Sequence, residues 1–339
     1  MKLLRVSALL AGLLPTLIAA KGSNPLSANQ IKSFVTFGDS YTDVVSKGDG
    51  PDAQAWPVYL AGYTNTTLFP FARSGATCSN NLTFRPFPPL FESQLPAYFD
   101  FLANQTSANG RGKGGRSQIG GDDTIYTLWI GTNDLGVSSL LTGDAEIRVP
   151  GVSLVDVVQC MVNWVKVLYD QGNAKIFLFQ NMIPLEHVIL YAPDSYPNRF
   201  WPGDLPRNTT QWSLQMTEMV KAGNALTKSL LRDLIEDRQV DGAKIAYFDS
   251  HALFTDILDH PAQYLNGTAP LNTTGCINSC VFETSGGEGD CTVVPEGPER
   301  DSFLWFDELH PSEQADRVVA REISRVFKGE ESRWTTWLS

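Results

Sequence analysis

Phe34-Val35-Thr36-Phe37-Gly38-Asp39-Ser40-Tyr41-Thr42-Asp43 is the stretch from which the fold is read. Four β-prone residues run into a glycine, a carboxylate and a serine, the pattern of a buried strand that stops in a tight turn. Ligands of open parallel sheets sit outside the carboxyl ends of the strands, so Ser40 stands where such sheets do chemistry. A lone serine in such a turn is more often a helix N-cap. A nucleophile reading therefore needs an oxyanion site, a histidine and a carboxylate from the rest of the chain.

Downstream, strand and helix patterns alternate. Residues 53–62 predict a short helix with Pro57 near its start, and 68–72 a strand running into Arg73-Ser74-Gly75-Ala76-Thr77. A helix is expected over 91–102, then a buried strand over 124–130, broken by Gly131-Thr132-Asn133-Asp134. The clearest amphipathic helix spans 152–169, with Val155, Val158, Val162, Val165 and Leu168 three or four apart. Strands over 175–179 and 244–248 flank a long helix over 214–234. Such alternation gives a parallel sheet covered on both faces. No repeat or linker interrupts residues 21–339, which read as a single domain. Gly110-Arg111-Gly112-Lys113-Gly114-Gly115 formally matches G-x-G-x-x-G, but no strand precedes it and no helix follows, so a surface loop is the reading. Stretches 191–207 and 261–300 are too long for plain connections and are candidate pocket walls.

Residues 1–20 carry Lys2 and Arg5, an apolar run from Val6 to Leu14, and small residues at Ala19 and Ala20. That is the pattern of a secretory signal peptide, too short for a membrane span, and no later stretch is long enough to cross a bilayer. A secreted, extracellular protein without stable membrane insertion is expected. Asn65, Asn81, Asn104, Asn208, Asn266 and Asn272 each begin an N-x-Thr acceptor sequence, in keeping with export. The net charge of −11 becomes −13 without Lys2 and Arg5, which disfavours nucleic acid as a partner. Of five cysteines, the cluster Cys276, Cys280 and Cys291 is expected to contribute a disulfide. Cys160, on the apolar side of a helical pattern, is read as a buried free thiol, and Cys78 is left open. Four histidines with no His-x-x-x-His or Cys-x-x-Cys spacing argue against zinc.

Ser40, Gly75 and Asn133 each follow a candidate strand, and adjacent strands would bring the three turns to one crevice. The backbone N–H groups of Ser40 and Gly75 with the Asn133 carboxamide would supply three donors for an oxyanion. Asp307 and His310, three apart, would share one face of a helical turn, the carboxylate orienting the imidazole toward Ser40. His251, with Asp249 nearby, is the second choice of base. The serine lacks the G-x-S-x-G context of α/β-hydrolases.

Gly38-Asp39-Ser40, Ser74-Gly75-Ala76-Thr77, Gly131-Thr132-Asn133-Asp134 and Asp307-Glu308-Leu309-His310-Pro311 resemble, in order, the four blocks of the GDSL, or SGNH, hydrolases. The resemblance implies a flavodoxin-like three-layer α/β/α fold with a central parallel sheet, and a serine esterase that uses no metal or organic cofactor. It makes Ser40 the nucleophile, Asp307 and His310 its catalytic partners, and Ser40, Gly75 and Asn133 the oxyanion donors. Tyr41 replaces the family's usual leucine. The surroundings of Ser40 and residues 248–258 are similar to fungal members of carbohydrate esterase family 16, acetylesterases acting on acetylated sugars and oligosaccharides. The expected substrate is thus a small-molecule or oligosaccharide acetyl ester. Alternatives are a lipase or broad carboxylesterase for longer acyl chains, and a non-catalytic glycan-binding protein. Trp56, Trp201 and Trp305 are candidates for stacking on sugar rings, with Trp129 assigned to the core.

Overall fold

The structure is a computed structural model that describes residues 23–45, 54–109, 119–143, 149–201, 207–283 and 289–339. Segment 1–20 and the glycine-rich loop 110–115 lie outside the described residues. In chain order the first elements are β1 (Ser33–Gly38), α1 (Trp56–Thr64), β2 (Thr67–Pro70), α2 (Leu95–Asn109), β3 (Gly121–Trp129) and the short α3 (Thr132–Leu135). Then follow α4 (Leu154–Gly172), β4 (Ala174–Gln180), α5 (Thr209–Glu236), β5 (Lys244–Phe248) and α6 (Ser250–Asp259). The last part holds β6 (Asn272–Cys276), β7 (Asn278–Val281), β8 (Asp290–Val293), β9 (Phe303–Trp305), α7 (Glu313–Phe327) and β10 (Thr335–Trp337).

The main sheet has the order β2-β1-β3-β4-β5-β10, parallel throughout except for β10, which pairs antiparallel with β5. The first five strands thus follow the flavodoxin-like order, and helices cover both faces. α1 packs on α7 and α4 on α5. Strand β1 shows why both faces must be covered. Phe34 meets Phe327 of α7 edge-on at 5.4 Å, while Phe37, on the opposite face, meets Tyr98 of α2 and Trp164 of α4 at 5.6 and 5.8 Å. A strand buried on both faces reads as a continuous apolar run, and β1 does.

Helix α4 opens with a capping box in which Ser153 and Asp156 satisfy each other's orphan amides. Its buried side runs through Val157, Val158, Met161, Val162, Trp164, Val165 and Leu168, and Val155 is 57% exposed, so the predicted stripe is rotated toward Trp164. Cys160 flanks this stripe and is not a free thiol. It bonds to Cys78, whose Cα lies 6.2 Å away, tying α4 to the loop after Gly75. The hairpin β7–β8 is closed by Cys280–Cys291, within the predicted cluster. Cys276 is the free, buried cysteine.

Trp164 is wholly buried between Phe37 and Phe177, and its indole N–H has no partner among the described residues. Trp164→Ala should cost about 3–5 kcal/mol in chemical denaturation, as large aromatic deletions do. Trp164→Phe, which keeps a ring and gives up only an unbonded N–H, should cost far less; equal losses would mean the site does not depend on ring packing.

Candidate active site

The carboxyl ends of β2, β1 and β3 lie side by side, and the residues after each meet at one crevice. Gly38 ends β1 with φ +140°, and a Cβ there would stand 2.1 Å from the Trp129 carbonyl, so only glycine lets β1 and β3 approach this closely. The Gln94 side chain clamps the same residue, accepting from the Gly38 amide at 3.1 Å and donating to its carbonyl at 2.8 Å. The chain then turns around Asp39, whose carboxylate accepts from the Tyr41 amide and whose carbonyl accepts from Thr42 and Asp43. Ser40 is left at the rim, partly exposed.

His310 reaches this serine from the other end of the chain. Its Nε2 lies 2.8 Å from Ser40 Oγ, and its Nδ1 lies 2.9 Å from Asp307 Oδ1 and 3.0 Å from Oδ2. The segment carrying the pair is not helical, contrary to the predicted helical turn, and α7 begins only at Glu313. Asp307 Oδ1 instead accepts from the backbone amides of Leu309 and His310 at 2.9 and 2.8 Å, so the carboxylate that faces the imidazole also closes the turn that carries it. Burial opposes ionisation of Asp307, but the facing His310 and these amides outweigh it and hold the carboxyl below its usual range. The Tyr41 hydroxyl donates to the Leu309 carbonyl at 2.8 Å, so the residue standing in for leucine ties the serine turn to the histidine turn.

The second and third turns face Ser40 as well. Gly75 has φ +76°, and a Cβ there would press into the Phe87 ring at 2.5 Å. Asp43 is buried beside Ser40 and accepts from the Ser74 amide at 2.7 Å and the Ser74 hydroxyl at 2.9 Å, which joins the first turn to the second. Asn133 donates to the Ala76 carbonyl at 2.9 Å and accepts from Arg85. Buried Asp134 accepts from the Cys78 amide and the Thr83 hydroxyl, bracing the same loop.

These groups open into a cavity of about 960 Å³. Its lining includes apolar Val137, Leu190 and Leu309 with Tyr191, all under 9% exposed, and polar Gln54, Glu313, Gln314 and Arg317. Both irregular stretches reach it. Phe200 from the first lies 5.5 Å from His310 edge-on, and Ile277, Glu296 and Arg300 come from the second. Trp56, Trp201 and Trp305 do not serve as stacking platforms. All three are buried, Trp201 against Trp212 at 3.9 Å, Trp56 donating to Thr42 and Trp305 to the Thr273 carbonyl. Trp129 is a core residue. His251 lines a separate, smaller pocket with Asn181, Lys221 and Asp249, and does not reach Ser40.

A family model for GDSL-like lipases and acylhydrolases matches residues 34–323. The chain belongs to this family. It is 29% identical to an acetylesterase of Hypocrea jecorina over 92% of this chain and 93% of that one, and 24% identical to an acetylesterase of Thermothelomyces thermophilus over 91% and 93%. Among solved structures, a catalytic mutant of the acetylxylan esterase Axe2 from Geobacillus stearothermophilus aligns with 91% of this chain and 99% of its own, at 12% identity and a TM-score of 0.43. As a family member with acetylesterase relatives, the protein is a carboxylic ester hydrolase.

Sequence reasoning did not single out Arg85, Gln94, Glu308 or the role of Asp43. Glu308, between Asp307 and His310 in sequence, is wholly buried. It accepts from the Cys280 amide at 2.5 Å and the Tyr196 hydroxyl at 3.2 Å, and lies 3.2 Å from Arg199 Nε. The adjacency to the motif was visible, but the partners are far away in the chain.

Burial pushes Asp39 up to about 7 and Asp134 up to about 6, from ordinary carboxyl values near 4. A raised folded-state pKa means that the folded form holds its proton where the unfolded form has lost it. Stability from these two groups is therefore fully present below about pH 4 and is lost as pH rises through 6 and 7. The melting temperature should be higher at pH 5 than at pH 7.5, and Asp39→Asn should flatten that difference; an undiminished slope in the variant would assign it to other groups.

Proposed function

We propose that this protein is a secreted serine esterase that removes acetyl groups from sugars or plant cell-wall oligosaccharides. The observation that carries the reading is the line from Asp307 through His310 to Ser40 Oγ at the mouth of the cavity. In this reading Ser40 attacks the ester carbonyl while His310 Nε2 takes its proton, and Asp307 holds the imidazole and balances its charge. The backbone N–H groups of Ser40 and Gly75 and the Asn133 carboxamide receive the oxyanion. His310 then protonates the departing alcohol, and an activated water releases the acid from Ser40.

The cavity supports the short acyl group. Its apolar lining, Val137, Leu190, Tyr191 and Leu309, is buried, and extra methylenes forced against a packed wall cost about 1–3 kcal/mol. Its lining also presents a guanidinium, a carboxylate and amides, from Arg317, Glu313, Gln54 and Gln314, suited to an alcohol with many hydroxyls. The acetylesterase relatives point the same way. Secretion is supported by the pattern of residues 1–20, by two disulfides and by the exposure of Asn65, Asn81, Asn104, Asn208 and Asn266. Among the described residues no helix is long and apolar enough to cross a membrane. Residues 21–339 are taken as a single catalytic domain, with nucleic acid disfavoured as a partner by the net negative charge.

Hydrolysis of aryl esters of increasing chain length tests this reading. The rate should fall roughly tenfold or more from acetate to butyrate, and Ser40→Ala should lose on the order of 10⁶-fold in kcat. A rise toward long chains would point to a lipase, and no Ser40-dependent turnover of any ester would leave a glycan-binding protein.

A further inference from the structure

Arg85 lines the cavity beside Ser40, Gly75 and Asn133 and has no ion-pair partner among the described residues. Its guanidinium donates to Asn133 Oδ1, and the Asn133 Nδ2 donates to the Ala76 carbonyl at 2.9 Å. These contacts leave one orientation of the amide. Guanidinium has no acceptor, so it can only face the amide oxygen, and a carbonyl has no donor, so it can only face the amide nitrogen. A flipped carboxamide would oppose donor to donor and oxygen to oxygen. In the observed orientation Nδ2 spends one N–H on Ala76, and its second N–H has no other acceptor among the described residues.

We infer that Arg85 is a positioning residue for ester hydrolysis, holding the Asn133 carboxamide so that it presents an N–H, and never its oxygen, to the developing oxyanion. The inference rests on the serine-esterase reading above. The Arg85 bond carries a full positive charge, and such a bond draws electron density from the amide oxygen and strengthens the N–H on its far side. The charge also lines the cavity into which Ser40 opens, where it favours the build-up of negative charge. The loop that bears it does not need the side chain for its shape: the Arg85 amide donates to Asn80 Oδ1, and its carbonyl accepts from Asn80 Nδ2 at 2.8 Å. Asn80 is bonded in turn by Thr77, and its amide donates to Glu92. Side-chain variants at 85 should therefore fold.

Steady-state hydrolysis of an aryl acetate by wild type, Ser40→Ala, Arg85→Met, Arg85→Lys, Asn133→Ala and the double variant Arg85→Met/Asn133→Ala tests the inference. Arg85→Met should lower kcat about 10- to 100-fold with KM within about twofold, the mark of an interaction felt in the transition state. Arg85→Lys, which keeps charge and a donor, should recover part of the loss. Asn133→Ala should lose about 10²–10³-fold, and the double variant should be no worse than Asn133→Ala, because Arg85 acts through the amide that is gone. Melting temperatures of all variants separate a loss of structure from a loss of positioning. Wild-type kcat in Arg85→Met, a change in KM alone, or losses that multiply in the double variant would overturn the inference. Absence of Ser40-dependent turnover in the wild type would instead overturn the esterase reading beneath it.

Discussion

The 2.8 Å contact between Ser40 Oγ and His310 Nε2 joins residues 270 positions apart, and most of the architecture around the site bears on that distance. Ser40 is fixed through Gly38, which cannot move without breaking either its pairing with β3 or the Gln94 clamp. His310 is fixed through Asp307, which closes its turn, and through Tyr41, which bonds the Leu309 carbonyl from the serine side. Below them α1 packs on α7, the helices that follow the two turns in sequence. The contact thus rests on rigid elements at both ends, the condition for holding a nucleophile and its base in register.

Carboxylates crowd this region, and their environments divide them. Asp307 receives two amides and an imidazole and is held below its usual range, while Asp39, two residues from the Tyr41 amide it accepts from, keeps one oxygen without a partner among the described residues and is driven upward by burial. Asp43, Asp134 and Glu308 accept backbone amides from other segments, at Ser74, Cys78 and Cys280 of β7. An amide bonded to a buried carboxylate is held by a charge-assisted bond, stronger than a neutral pairing. The segments that shape the site are in this way fastened to one another by buried acids, which a preference for neutral cores would have excluded.

How much of this was legible follows from the range of each interaction. Strand β5 was read with its observed bounds and β1, β3 and β4 nearly so, because strands buried on both faces are continuous apolar runs between turn residues. The turns after β1, β2 and β3 were legible for the same reason. The conformation around Asp307 was not, since a spacing of three fits a helical turn and an Asp-closed loop equally well. Cys160 was misread because periodicity places a residue near an apolar face without saying what lies across from it, and Cys78 is 82 positions away. The tryptophans failed in a related way: residue type shows capacity to stack, whereas Trp201 had already found Trp212. Arg85 and Gln94 left no local pattern, as each acts on a partner about fifty residues distant.

The two irregular stretches gain their place from Glu308. A carboxylate buried directly beside the Asp–His pair must be neutralised or paired, and its partners come from both insertions: Arg199 and Tyr196 from one, Cys280 from the other. Arg199 also donates to the Asn278 carbonyl, joining the insertions to each other. Phe200 is thereby carried over His310, and the disulfide-closed hairpin β7–β8 is held against the same turn. Cavity walls that are distant in sequence are positioned by the residue next to the charge pair they enclose. A loss of order in either insertion would strip Glu308 of part of its partners, the Arg199 cation and Tyr196 hydroxyl from one or the Cys280 amide from the other, so cavity shape and the turn that carries His310 are coupled through a single buried side chain.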